Sequence, residues 1–150
     1  MVTVKIKKVS KTARLPEKMT PHSSGYDIFA DLSKDLIIPS KDVALIPSGF
    51  ALEIPSGYEA QIRPRSGLAI NHKIGILNSP GTIDADYRGE VKIIAFNFGD
   101  KMFVVKHHMR IAQIVFSKVE DIDLEESNSL SKTERDAGGF GHTDTKLDCK

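Results

Sequence analysis

Gly81-Thr82-Ile83-Asp84-Ala85-Asp86-Tyr87-Arg88-Gly89 lies between two apolar, β-branched runs, Ile74-Gly75-Ile76-Leu77 and Val91-Lys92-Ile93-Ile94-Ala95-Phe96-Asn97-Phe98. Glycines at both ends tolerate tight turns, so the segment is predicted to be the tip of a β-hairpin joining those runs. It carries two carboxylates, one aromatic ring and one guanidinium in nine residues, more chemistry than a turn requires. Such a tip presents a base, a ring and a cation to a small anionic ligand, and loops on rigid β scaffolds commonly carry function.

The pattern continues outward in both directions. Val2, Val4 and Ile6 alternate with Thr3, Lys5 and Lys7, as in a half-buried strand. Further short runs are Leu36-Ile38, Val43-Ile46, Ala51-Ile54, Tyr58-Ile62, Phe103-Val105 and Ile111-Val119. Turn signals separate them at Pro39-Ser40, Pro47-Ser48-Gly49, Pro55-Ser56-Gly57, Ser79-Pro80-Gly81 and Asn97-Phe98-Gly99-Asp100. Many short strands at near-regular spacing predict an all-β sandwich, jelly roll or barrel. Only Ser66 to Asn71 reads as a short helix, with Ser66 as its cap.

At 150 residues the chain fits one domain, enough to bury roughly 70% of its unfolded surface. With 21 basic and 20 acidic residues the net charge is +1, so no bulk attraction to nucleic acid or membrane is expected and any anion site must be local. The single cysteine, Cys149, excludes an internal disulfide and a cysteine zinc cluster, and fits a reducing compartment. No apolar run is long enough for a signal peptide or membrane span. The expectation is a soluble cytoplasmic protein.

From about Glu125 the composition turns to Ser, Thr, Gly, Lys and Asp, and the apolar residues lose any period. Residues 1–125 are therefore expected to form the β core and 126–150 a flexible C-terminal tail. A disordered tail is one reading. Arg135-Asp136-Ala137-Gly138-Gly139-Phe140-Gly141-His142-Thr143 supports another, a tail that orders over a ligand. Its glycines let backbone N–H groups approach phosphate and its ring offers a stacking face.

Three more segments carry possible chemistry. Pro64-Arg65-Ser66-Gly67-Leu68-Ala69 joins a strand end to the helix start. It reads as an ordinary capped turn, or as an anion site made of a guanidinium, a hydroxyl and free amides. It lacks the Gly-Lys-Ser/Thr ending of a Walker loop. Ser24-Gly25-Tyr26-Asp27 places an acid in a strand; Asp27 is either a solvated turn carboxylate or a contact to a hydrated Mg2+. Arg110-Ile111-Ala112-Gln113 reads as a core strand in which buried Arg110 and Gln113 need polar partners. His107 and His108 precede it without a cysteine or further histidine nearby, so no metal site is expected there.

Together and in this order, these five segments resemble the motifs of the trimeric dUTP pyrophosphatase (dUTPase) family. The resemblance runs from about residue 3 to residue 145. It implies a distorted jelly-roll (β-clip) barrel with one short helix, assembled as a homotrimer with shared active sites at subunit interfaces. The implied reaction is hydrolysis of dUTP to dUMP and pyrophosphate, with Mg2+ held mainly by the triphosphate, in nucleotide metabolism.

The resemblance also implies roles for particular residues. Asp84 matches the carboxylate that activates the attacking water, which an ionised acid does by accepting its proton. Tyr87 matches the ring under the deoxyribose that leaves no room for a 2′-hydroxyl, and Asn78 the side chain that reads the uracil edge. Thr82, Ile83 and Lys92 match positions lining base and sugar, Lys92 largely through backbone. Arg65, Ser66 and Gly67 match the phosphate cradle and Gln113 a polar contact to it. Asp27 matches a contact to the waters of the metal. Arg135, Phe140, Gly141 and Thr143 match the tail residues that cover the nucleotide. Asp86 and Arg88 read as structural.

Some positions depart from the family pattern. Ser24, Arg63 and His142 replace a usual alanine, small apolar residue and serine, and His108-Met109 replaces a glycine and a polar residue. Two other functions compete. A dCTP deaminase of the same fold needs a glutamate near position 94, where this chain has Ile94. A non-catalytic nucleotide-binding trimer would most simply have lost Asp84 or the tail motif, and both are present.

Overall fold

A computed structural model of the chain describes residues 2–139. Its strands are β1 (Lys5–Lys8), β2 (Tyr26–Phe29), β3 (Leu36–Ile38), β4 (Val43–Glu53) and β5 (Tyr58–Arg63). One helix, α1 (Ser66–His72), precedes β6 (Ile74–Ile76), β7 (Gly81–Ile83), β8 (Glu90–Asn97), β9 (Phe103–Val105) and β10 (Arg110–Lys118). Two four-stranded sheets, in the orders β1-β4-β8-β6 and β2-β10-β5-β7, enclose the core, and β3 pairs with β9 in a ribbon. All pairings are antiparallel. The architecture is all-β, a jelly-roll-type barrel with one short helix among the described residues.

Apolar residues recur every second position in the long strands and face inward. Val91, Ile93 and Ala95 of β8 are buried, alternating with Lys92 and the half-buried Ile94. Ile28, Phe50 and Ile114 are buried completely. Asn97 is also fully buried, and its amide is satisfied: Nδ2 donates to Ile38 O (3.1 Å) and Lys101 O (2.8 Å), and Oδ1 accepts from Gly99 N (2.9 Å).

Three expectations are corrected. The segment Gly81–Gly89 is not a simple hairpin tip. β6 and β8 do pair, but Gly81–Ile83 leaves that sheet and pairs with Ala60–Ile62 of β5 in the other. The excursion bridges the two sheets, so Gly81 begins a strand instead of ending a turn.

Pro47-Ser48-Gly49 does not separate two strands. β4 runs through it with a register shift between Pro47 and Ala51, because a bulge absorbs the same residues that make turns. Gly49 has φ +72°, and a Cβ there would lie 2.5 Å from Asp31 Oδ2 and 2.6 Å from Ala13 Cβ. The side chain of Ser48 is buried and donates to Val91 O. Burial pushes the Asp31 carboxyl upward, but hydrogen bonds from Ser10 and Thr12 and the nearby imidazoles of His107 and His108 leave it below its ordinary value.

The N-terminal strand is not half-buried: all of Lys5–Lys8 is exposed. β1 is an edge strand paired only to β4, with lysines guarding its free side. Its apolar side faces an open groove of about 620 Å3 shared with Tyr26, Leu52, Tyr58 and Phe116. Beyond β10, residues 119–139 contain no helix or strand.

Two glycine replacements test the bulge. Gly57 also has a positive φ, +79°, but open space around it; Gly57→Ala is expected to cost only the left-handed strain, about 1–2 kcal/mol. Gly49→Ala adds the clash with Asp31 and Ala13 and is expected to cost about 2–4 kcal/mol. Urea titration reads both as lower midpoints with unchanged slope.

Candidate active site

Strand β10 brings the conspicuous polar residues together. It lies between β2 and β5, so Gln113 stands opposite Asp27 on one side and Arg63 on the other. Asp27 holds a guanidinium on each oxygen: Arg65 Nε lies 3.2 Å from Oδ1 and Arg110 NH1 lies 3.3 Å from Oδ2. The Asp27 side chain is only 13% exposed, so water competes weakly for this carboxylate. Arg65 also donates to the Arg110 carbonyl through NH1 (3.0 Å). Two cations on one anion leave a surplus of positive charge.

Gln113 Nε2 donates to the Pro64 carbonyl at 2.9 Å, tying β10 to the segment that enters α1. Gly25 makes room for it, since a Cβ there would lie 2.4 Å from Gln113 Oε1. Gly25, Asp27, Arg63 and Gln113 line a cavity of about 300 Å3. Arg110 was expected to be a buried core residue. A register shift between Arg110 and Ala112 turns it outward, and its side chain is 45% exposed.

Ser66 does not cap α1. Arg65 is the N-cap, in extended conformation and without a side-chain cap bond, and Ser66 is the first helical residue. The helix ends at Lys73 in the left-handed region, φ 57°. Ser66 and Gly67 are exposed at the helix start beside Arg65.

The second group surrounds the excursion after β7. Tyr87 N donates to Asp84 O (3.2 Å), closing a turn, and Arg88 NH1 donates to the carbonyls of Ala85 (2.6 Å) and Tyr87 (3.0 Å). Arg88 is thus occupied inside its own loop. Tyr87 folds back over Gly89, where a Cβ would lie 2.3 Å from Tyr87 Oη, and its hydroxyl donates to Glu90 O (3.2 Å). Thr82 is exposed and Ile83 half-buried on β7. Asn78 packs over Gly81, whose Cβ position lies 3.0 Å from Asn78 Nδ2. Lys92 Nζ lies 3.5 Å from Glu90 Oε2. Among the described residues, the Asp84 carboxylate has no ion pair and no side-chain hydrogen bond. It lines a cavity of about 380 Å3 with Glu59, Glu120 and Asp121.

Asp84 and the Asp27 pair thus border different cavities of one chain. Arg135 Nε donates to Gly138 O (2.8 Å) within a turn of its own. Phe140, Gly141 and Thr143, expected to belong to the site, lie outside the described residues, as does His142. Sequence reasoning missed Arg110 as a partner of Asp27 and Gly89 as the seat of the Tyr87 ring. The spacing of Tyr87 and Gly89 was visible, but nothing local shows a ring folding back.

A family model described as dUTPase matches residues 11–144. Deoxyuridine 5'-triphosphate nucleotidohydrolases of Rickettsia akari (strain Hartford) and Rickettsia felis (strain ATCC VR-1525 / URRWXCal2) are each 52% identical to this chain. Each match covers 141 residues, 93% of this chain and 95% of the relative. A mutant dUTPase of Staphylococcus bacteriophage 80alpha, solved with dUpNHpp, superposes with a TM-score of 0.84 at 26% identity, over 94% of this chain and 98% of the phage protein. An all-β barrel with a guanidinium-rich end and an unpaired carboxylate in a loop defines a candidate for phosphate chemistry. The chain belongs to the dUTPase family.

Gly25→Ala is expected to push Gln113 off the Pro64 carbonyl and lower stability by about 1–3 kcal/mol, the range for a lost partner inside a half-buried pair. The Gln113 side-chain amide resonances in an NMR spectrum, together with a urea midpoint, check it.

Proposed function

We propose that this chain hydrolyses dUTP to dUMP and pyrophosphate, supplying a dTTP precursor and keeping uracil out of DNA, with Asp84 as the general base. The contrast between two carboxylates carries the assignment. Asp27 is neutralised by Arg65 and Arg110, whereas Asp84 keeps its lone pairs free among the described residues. A base must have a free lone pair within reach of the proton it takes. Asp84 accepts a proton from water as the water oxygen bonds to the α-phosphorus. The bond from that phosphorus to the bridging oxygen breaks, and pyrophosphate departs with the electron pair.

The remaining roles follow the family motifs onto the geometry. Arg65, with Ser66 and Gly67 exposed at the start of α1, cradles phosphate oxygens, and Gln113 adds a polar contact. Asn78 reads the uracil edge, with Thr82, Ile83 and the Lys92 backbone as pocket wall. Tyr87, held down on Gly89, excludes a ribose 2′-hydroxyl by contact. Arg135, Phe140, Gly141 and Thr143 close over the nucleotide as the 126–150 tail.

The residues present fit Mg2+ as an ion brought in by the triphosphate. Both Asp27 oxygens already face guanidiniums, so Asp27 suits a contact through the waters that Mg2+ retains. When bound, Mg2+ neutralises charge on the phosphates. Asp27 orients Arg65 and Arg110 toward them.

A homotrimer with shared sites accounts for the separation of the two groups. Asp84 borders one cavity, and Asp27 and Gln113 another, so a complete site draws on neighbouring copies. Exposed apolar residues such as Leu45 (54%), Leu77 (53%) and Phe98 (52%) are surface that assembly would cover. No helix of the described residues is long and apolar enough to cross a membrane, in keeping with a soluble enzyme of the cytoplasm.

A pyrophosphate-release assay with Mg2+ over dUTP, dTTP, dCTP and UTP tests the reading. Turnover of dUTP alone is expected; ammonia from dCTP would establish the deaminase, and binding without turnover the non-catalytic trimer. Asp84→Asn is expected to bind dUTP but react at least ~100-fold more slowly. Near-normal turnover in that variant would remove Asp84 from its role. Deletion from Thr133 onward should depress turnover while the oligomer, followed by light scattering, stays intact.

A further inference from the structure

Asp31, His107 and His108 form a cluster of ligating side chains apart from both cavities described above. One carboxylate oxygen and one nitrogen from each imidazole all lie within 4.8 Å of one another. The fold brings them together through two backbone bonds. His108 N donates to Ala30 O (2.8 Å), and Ala30 N donates to Met109 O (2.9 Å). The segment after β2 is thereby clamped to the turn between β9 and β10.

The side chains are also oriented. Asp31 is 8% exposed, accepts from Thr12 Oγ1 at 2.6 Å, and places Oδ1 3.9 Å from His107 Nδ1. His108 Nε2 lies 2.8 Å from the Thr12 carbonyl oxygen. A carbonyl only accepts, so Nε2 holds the hydrogen and Nδ1 of the neutral ring keeps a lone pair. Metal-bound imidazoles are oriented in this way, one nitrogen donating to a backbone carbonyl and the other facing the ion. The two rings lie with centroids 3.7 Å apart. His107 Nδ1 accepts the Leu32 N–H at 3.0 Å, a lone pair that an ion would take in exchange.

His108 stands in an uncommon backbone conformation. Its φ is 60°, in the left-handed region where glycine is favoured. The turn holds the two imidazoles face to face, with His107 beside a nearly buried carboxylate.

We propose that Asp31, His107 and His108 bind one divalent transition-metal ion of the Zn2+ class, leaving a coordination position to water. Two imidazoles and one carboxylate suit Zn2+ and its neighbours, whereas Mg2+ prefers oxygen ligands alone. Ligand distances of about 2.0–2.2 Å require the donors to close by roughly 1 Å. The exposed side of His107, 35% accessible, permits that rotation. The ion joins the Ser10–Thr12 segment, the end of β2 and the turn that leads into Arg110, and so braces the support of the Asp27 pair.

Metal-free full-length protein carrying Cys149→Ser, which removes the only thiol, is titrated with Zn2+ by calorimetry and with Co2+ by visible absorption, both in excess Mg2+. One ion per chain is expected. His107→Gln and His108→Gly should each weaken Zn2+ binding by at least ~10-fold. His108→Gly relieves the backbone, so its metal-free thermal midpoint should hold or rise, and lost binding there does not reflect misfolding. Wild-type affinity in both variants would assign any ion to the other histidines and overturn the site. Absence of both the Co2+ absorption and the Zn2+ heat would overturn it as well.

Discussion

The insertion of β10 between β2 and β5 is the constraint on which the rest of the molecule depends. It joins segments more than eighty residues apart, since Arg110 meets Asp27 at a sequence separation of 83. It gives the second sheet one of its two inner strands, buries Ile111, Ala112 and Ile114, and puts Gln113 opposite both Asp27 and Arg63. Without that register no polar group on β2 would face the loop that enters α1. A slip of a single residue would turn Gln113 into the core and Ile114 out of it.

Electrostatics then follow from position. A chain with a net charge of +1 has no general attraction for anions, yet Arg65 and Arg110 converge on a single carboxylate. Asp27 tolerates partial burial because both of its oxygens are paired, and it in turn holds two guanidiniums in place. The exposed Asp84 needs no such compensation. Two acids that look alike in the sequence acquire different surroundings, one paired with two guanidiniums and one without a side-chain partner among the described residues. The glycines serve the same division: Gly25 admits the Gln113 amide and Gly89 the Tyr87 ring.

Much of the fold was legible in the chain. The apolar run Val91–Phe98 marked a strand, and the runs 36–38, 58–62, 103–105 and 111–119 were found within a residue or so of their ends. The failures came where one local signal has two structural meanings. Pro47-Ser48-Gly49 makes a turn when the chain reverses and a bulge when flanking strands keep pairing, and only the partner β8 decides between them. Alternation in Val2–Ile6 shows a two-faced strand but not what the apolar face meets, here an open groove. The motif residues were found as types and spacings, while the use of Arg110 depended on Asp27, 83 residues away in the sequence.

The sequence by itself determined the all-β class, the short helix and the family, because these rest on periodicity, turn chemistry and residue type, which are local. Tertiary structure alone decided that Gly81–Ile83 crosses to the second sheet, that Arg65 and Arg110 share Asp27, and that His107 and His108 meet Asp31. Each of these joins groups through strand pairing across long stretches of chain. Hydrogen-bond register between distant strands is a property of the folded chain, and no window of residues contains it.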